Sequence, residues 1–292
     1  MGEETIADAA IRWFDANARD LPWRHPDAGA WAILVSEVML QQTPVVRVLP
    51  AYEEWLRRWP TPAALAADEP GEAIRMWGRL GYPRRALRLH ECATAIVDRH
   101  GGTVPADLDA LLALPGVGAY TARAVAAFAY RQRQPVVDTN VRRFVARAAE
   151  GVADAGPTTR PADLVATAAL LPDDPERAAR ASAAFMEIGA VVCTARAPRC
   201  ALCPVVDRCA WRAAGRPALD GPSRRPQTYA GTDRQVRGLL LAVLREATDP
   251  VPRVRLDMVW PDATQRDRAL RGLIEDGLVD PLPDDLFALP TR

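Results

Sequence analysis

Four cysteines, Cys193, Cys200, Cys203 and Cys209, stand in one short run spaced C-x6-C-x2-C-x5-C, with a fifth, Cys92, far upstream. Thiolates gathered on a compact loop bind zinc or a cubane iron–sulfur cluster. Zinc ribbons carry paired C-x2-C knuckles, and only Cys200-Ala201-Leu202-Cys203 has that spacing here. The pattern therefore favours a [4Fe–4S] cluster, and a disulfide framework fits a chain of 292 residues less well still. Cys92 reads as a small apolar core residue.

Two carboxylates follow. Trp31-Ala32-Ile33-Leu34-Val35-Ser36-Glu37-Val38-Met39-Leu40-Gln41-Gln42-Thr43-Pro44 is an apolar helical run with one charge, Glu37, stopped by Pro44. Desolvation of a lone acid raises its pKa toward neutrality, which makes Glu37 a candidate general acid; the plain alternative is a surface glutamate. Gln41 is expected one turn beyond Glu37 on the same face, and Gln42 at the helix end. Asp138 closes the apolar segment Gln134-Pro135-Val136-Val137 just where Thr139-Asn140-Val141 opens a helix. It is expected to cap that helix, whose amides and dipole would keep it ionised to face a developing positive charge. Between two helical stretches, Leu114-Pro115-Gly116-Val117-Gly118 lets the backbone turn tightly, so that amides and a helix start can meet an anion such as a DNA phosphate. An ordinary corner between helices has the same pattern. All 37 basic residues are arginine, so no lysine Schiff base can form.

The elements that must position these groups are mainly helical. Apolar residues recur at three and four, and Pro22, Pro44, Pro60, Pro62, Pro70, Pro83, Pro105, Pro115 and Pro135 cut the first half into helix-length segments. Residues 213–232, rich in proline and glycine, read as a linker. Beyond it, a helix from Asp233, another near 263–276 and a terminal two-stranded wing suggest a winged-helix-like unit over 233–292. The formal net charge is zero, yet arginines cluster at 79–88, 131–147 and 196–212, as a DNA-binding surface requires. Nowhere do eighteen apolar residues run together without a charge, and the chain is expected to be soluble, cytoplasmic and nucleoid-associated.

The order of hairpin, downstream aspartate and four-cysteine run resembles the endonuclease III and MutY superfamily of base-excision DNA glycosylases over about residues 15–212. Within it, Tyr120 stands where lyases of the endonuclease III type carry lysine, and Ser36-Glu37-Val38-Met39-Leu40-Gln41-Gln42-Thr43 matches the MutY-type adenine glycosylases. The resemblance implies that Glu37 protonates N7 of a flipped adenine, and that Asp138, with Asn140, stabilises the oxocarbenium-like sugar. By the same resemblance Tyr120 lies beside the nucleotide sugar, and Arg19, Trp23, Arg24 and Leu40 line the adenine pocket. Gln41 belongs to the duplex-facing motif, while Gln42, Thr43 and Tyr82 wedge into the base stack. Leu114, Gly116, Val117 and Gly118 form the helix-hairpin-helix, and the four cysteines hold a [4Fe–4S] cluster with a structural and DNA-binding role. The chain departs from the usual pattern at Thr139 (commonly Gly), at Pro83 (commonly Tyr) and at Ser182-Ala183, where many relatives place an adenine-reading pair. About sixty residues after the linker are too few for the Nudix-like domain of typical MutY proteins, which implies a preference for 8-oxoguanine that is weaker or built differently.

The expected fold is all-α: a cluster lobe (1–21 and 136–212), a six-helix lobe with the hairpin (22–135), the linker and the tail, with DNA in the cleft between the lobes. The expected activity is hydrolytic release of adenine opposite 8-oxoguanine or guanine by a monomer acting on double-stranded DNA. A thymine or uracil mismatch glycosylase and a non-enzymatic iron–sulfur DNA-binding regulator are the alternatives.

Overall fold

The computed structural model describes residues 4–156, 158–218 and 229–291, which are overwhelmingly helical. In chain order the helices are α1 (Ile6–Asn17), α2 (Ala30–Leu40), α3 (Val45–Arg58), α4 (Pro62–Ala66), α5 (Pro70–Trp77), α6 (Arg84–His100), α7 (Leu108–Leu112), α8 (Ala119–Tyr130), α9 (Thr139–Val145), α10 (Pro161–Leu170), α11 (Pro175–Val191) and α12 (Ala210–Ala213). The tail adds α13 (Asp233–Glu246), β1 (Val251–Pro252), α14 (Arg253–Asp257), α15 (Ala263–Glu275), β2 (Asp280–Leu282) and β3 (Leu286–Ala288). The centre of the expected linker, residues 219–228, lies outside the described residues.

Local chemistry sets most of these boundaries. The Thr5 hydroxyl accepts from the Asp8 amide at 3.1 Å, and the Thr5 amide donates to the Asp8 carboxylate at 3.2 Å, a capping box at the start of α1. Asp107, Asp138, Asp174 and Asp262 accept from first-turn amides of α7, α9, α11 and α15. Pro62 and Pro70 open α4 and α5, and Pro161 and Pro175 open α10 and α11, positions where a missing N–H loses no helical bond. No helix among the described residues is long and apolar enough to cross a membrane.

The described residues group into two compact units. The first holds 4–34, 106–113 and 117–218. Ala7, Ala10 and Phe14 of α1 and Phe144 of α9 pack with Ala181, Phe185 and Ile188 of α11, and Cys193 and Cys203 lie against this core. Ala124 and Ala127 of α8 meet Ala179 of α11 and Val136. That alanine contact is why α8 groups with the cysteine-bearing unit, a division different from the 22–135 lobe expected above.

The second unit holds 35–105, 114–116 and 229–291. Trp55, Trp59 and Trp77 are buried and meet edge to face, with ring centroids 4.6 and 5.6 Å apart. In the tail, Val236, Leu240 and Leu244 of α13 and Leu270 and Leu273 of α15 are buried beside an antiparallel sheet ordered β1-β3-β2. Beyond the expected hairpin and two helices, this tail has a third strand, β1, and the short α14. Its end is seated firmly: the Gly71 amide donates to Pro290 O at 2.7 Å, and a Cβ on Gly71 would stand 2.6 Å from that oxygen.

Candidate functional site

Glu37 lies on α2 with 5 % of its surface exposed, flanked by the inaccessible Val35, Ser36 and Met39, so the apolar run does bury its single charge. The helix stops at Leu40, earlier than expected. Gln41 is therefore in the turn rather than on the Glu37 face, and Gln42 is exposed with φ +55°. Arg85 of α6, which sequence reading missed, caps this end. Its guanidinium donates to the Val38, Met39 and Gln41 carbonyls at 2.9, 3.1 and 2.5 Å, to Thr43 Oγ1 at 3.0 Å and to Gly81 O at 3.0 Å. Burial lowers its pKa to about 10, leaving it charged at neutral pH. Thr43, expected to reach the duplex, is buried, and its hydroxyl donates to Leu80 O at 3.3 Å. Tyr82 is 44 % exposed with φ +48°, and Leu40 is half-buried.

Asp138 caps α9 as expected: Oδ1 accepts from the Val141 amide at 2.7 Å and Oδ2 from Asn140 Nδ2 at 2.8 Å. Its pKa direction is opposite to the expectation. Desolvation of this half-buried carboxylate raises it, outweighing the Val141 amide, the Asn140 side chain and amide, and the Arg143 charge. Arg143 in turn donates to Asn140 Oδ1 at 2.9 Å, to Gly189 O at 2.7 Å and, through Nε, to Cys193 O at 2.7 Å. A Cβ on Gly189 would lie 2.5 Å from Asn140 O, so only glycine lets α11 approach this closely. The carboxylate, its amide partner and the first cysteine's backbone thus share one hydrogen-bonded frame.

Glu187, absent from the expected site, organises Arg19 and Arg24. Its carboxylate is fully inaccessible and accepts from the Arg19 amide at 3.2 Å, Arg19 Nε and Nη2 at 2.7 and 2.8 Å, and Arg24 Nη2 at 2.8 Å. Burial alone would raise its pKa, but the two guanidinium groups bring it down to about 2. Trp23 is buried in the short turn Pro22–Arg24 between them. The signal was present in Phe185-Met186-Glu187-Ile188-Gly189-Ala190-Val191, a lone acid in an apolar helix like Glu37. Ser182, by contrast, is a packing residue whose hydroxyl donates to Gln134 O at 3.2 Å.

The hairpin stands between α7 and α8, with Leu114 and Val117 buried. Gly116 has φ +75° and lies against Arg88 of α6, where a Cβ would come within 2.7 Å; Gly118 is an ordinary extended N-cap of α8. Tyr120, on the first turn of α8, is half-buried against the Ala124, Ala127 and Val136 cluster. All four cysteines of the run are free thiols and line one small pocket of about 20 Å³ together with Arg147, Trp211 and Arg212. Arg147 Nη1 is 3.5 Å from Cys193 Sγ, and its guanidinium lies 4.7 Å over the Trp211 ring. Burial pushes the Cys203 thiol up to about 11 and raises Cys193 as well, there against the opposing charges of Arg147 and Arg143. The four thiols thus converge on one small pocket flanked by the Arg147 and Arg212 guanidinium groups, a soft, negatively chargeable donor set beside cations.

Residues 35–161 match the family model for the HhH-GPD superfamily base excision DNA repair protein. Over 99 % of its length the chain is 58 % identical to an adenine DNA glycosylase of Mycobacterium tuberculosis, spanning 95 % of that protein. It is 60 % identical over 96 % of its length to an adenine DNA glycosylase of Mycolicibacterium smegmatis, spanning 94 % of it. A solved thermostable thymine-DNA glycosylase superposes with a TM-score of 0.64 at 26 % identity, covering 71 % of this chain and 95 % of that one. With its hairpin, its capped Asp138 and its four-thiol pocket in one chain, the protein belongs to the HhH-GPD superfamily of base excision DNA repair proteins, among its MutY-type members.

Proposed function

We propose that this protein is a base-excision repair glycosylase that hydrolyses the N-glycosidic bond of adenine mispaired with 8-oxoguanine or guanine in double-stranded DNA. The observation that carries the reading is identity of 58 % and 60 % to two adenine DNA glycosylases over nearly the whole of both partners. Glu37 gives its proton to N7, so that adenine leaves as a neutral base with the electrons of the broken bond. The sugar cation is stabilised by the Asp138 carboxylate, oriented by Asn140, until water adds at C1′ and passes its proton to the carboxylate left on Glu37. Extruding the base costs a few kcal/mol of unstacking, which exposed groups such as Gln42 and Tyr82 offset by filling the gap. With no lysine in the chain, the reaction ends at the abasic site without Schiff-base strand cleavage.

Cys193, Cys200, Cys203 and Cys209 would hold a [4Fe–4S] cluster, which would supply structural order to the 193–209 loop for DNA contact. The pocket and its arginines support this reading. Iron and acid-labile sulfide in equal amounts, both lost in Cys203→Ser, are the expected analysis.

The activity is tested by single-turnover base release, developed with alkali, on duplexes holding A opposite 8-oxoguanine, A opposite guanine and T opposite guanine, with Glu37→Gln as control. Adenine release that vanishes in Glu37→Gln is expected. Thymine release alone would move the reading to a mismatch glycosylase, and tight binding with no release from any duplex would move it to a DNA-binding regulator.

A further inference from the structure

We propose that the tail is a working part of the DNA-binding face, and that Arg234 is the residue through which it holds a phosphate of the duplex. The inference rests on the reading of the chain as a DNA glycosylase and extends it to a segment with no assigned role. The tail is fixed to α6: Arg84 pairs with Asp276 at 3.1 Å, and Gly277 stands against Leu87. Arg245 Nε also donates to Ile74 O at 3.0 Å, which ties α13 to α5. On the first turn of α13, the Arg234 guanidinium stacks 4.6 Å from the centre of the Tyr82 ring, and Arg85 approaches the same ring at 5.5 Å. An exposed tyrosine in left-handed backbone is thus held by one cation from the core and one from the tail.

Left-handed backbone at a residue other than glycine persists where surrounding structure over-determines it. Gln42 and Tyr82 both have it, both are exposed, and Arg85 joins their loops by binding Gln41 O and Gly81 O. The first two turns of α6 also receive the hairpin at Gly116, whose neighbouring amides are suited to an anion. Arg234 is exposed beside this face and, among the described residues, makes no hydrogen bond or ion pair. Arg237, Arg253, Arg266 and Arg268 of the same tail are each paired with an acid. The adjacent carboxylate, Asp233, is occupied through both oxygens by Arg268 at 2.7 Å. Arg234 therefore lies over the Tyr82 ring and, with no hydrogen-bond partner among the described residues, has N–H groups for an external acceptor; a phosphate oxygen is the acceptor duplex DNA presents.

The experiment measures binding of the full chain to a labelled duplex carrying a reduced abasic site opposite guanine, across a salt series, for the wild type, Arg234→Ala and Arg234→Lys. The expected Arg234→Ala result is affinity lower by about threefold to tenfold near 0.1 M salt, with the slope of log affinity against log salt shallower by about 0.9. Arg234→Lys keeps the charge and restores the slope while losing the stacking share of the affinity. A wild-type slope in an Arg234→Ala protein of wild-type melting temperature overturns the proposal, as does an Arg234→Lys slope equal to that of Arg234→Ala. Failure of the wild type to release adenine would instead sink the glycosylase reading, leaving the binding comparison intact.

Discussion

Gly189→Ala probes the frame around Asp138 without removing a polar group. The new methyl carbon would lie 2.5 Å from Asn140 O, 2.7 Å from Asn140 C and 2.9 Å from Asn140 Cβ. Restoring ordinary contact, about 3.4 Å, requires Asn140 to retreat from α11 by about 0.9 Å. That motion pulls on the 2.8 Å bond from Asn140 to Asp138 and on the Arg143 side chain, which binds Gly189 O and Asn140 together. Overpacking of this kind costs about 1–3 kcal/mol, and a reacting group displaced by about 1 Å loses on the order of 100-fold in rate. The expected outcome is a melting temperature lower by several degrees and single-turnover adenine release slower by roughly two orders of magnitude. Gly29→Ala is the control, because nothing lies within 4 Å of a Cβ there. Release within twofold of wild type at an unchanged melting temperature would refute the argument that this contact holds Asn140 and Asp138 in place.

Three further outcomes are expected. Glu187 has a folded pKa of about 2 against an ordinary 4.5, so its contribution of about 3 kcal/mol is fully present above about pH 4.5 and lost as pH falls toward 2; denaturant titrations should show Glu187→Gln lacking that share of the acid dependence. Arg85→Met leaves the acceptors of Val38, Met39, Gln41, Thr43 and Gly81 unmet and should lower unfolding free energy by about 3 kcal/mol or more, whereas an unchanged denaturation midpoint would show that the loops hold themselves. Since burial raises Asp138 and the proposed mechanism uses its carboxylate form, single-turnover rates should fall on the acid side with a midpoint above 3.8; Asp138→Asn should lose on the order of 100- to 1,000-fold and show no such limb.

Several parts of this protein were legible in the chain because their cause is local. The apolar run around Glu37 predicts a helix that buries it, Asp138 before Thr139-Asn140-Val141 predicts an N-cap, and Leu114 to Gly118 predicts a turn between helices; all three are observed. The cysteine spacing pointed to a metal centre on one loop, and the four thiols do line one pocket. Other features depend on partners distant in sequence. Arg85 is 44 residues from Gln41, and nothing near it foretells that it caps the end of α2 and carries the turn with Gln42. Thr43 looked like a contact residue because its motif is contiguous, yet its hydroxyl is used by Leu80, 37 residues away.

What the sequence by itself determined is the chemistry available: two acids in helical settings, four thiols on one loop, a glycine hairpin and the absence of lysine. Only the tertiary structure decided how that chemistry is held, because ion pairs and close approaches are properties of space rather than of spacing. It placed Glu187 between Arg19 and Arg24, set Asn140 against Gly189, reversed the pKa direction of Asp138 by burying it, and brought Arg234 of the tail onto Tyr82. A carboxylate's local amides are written in its neighbours along the chain, but the desolvation that outweighs them is set by whatever packs over it, and that is known only once the chain has folded.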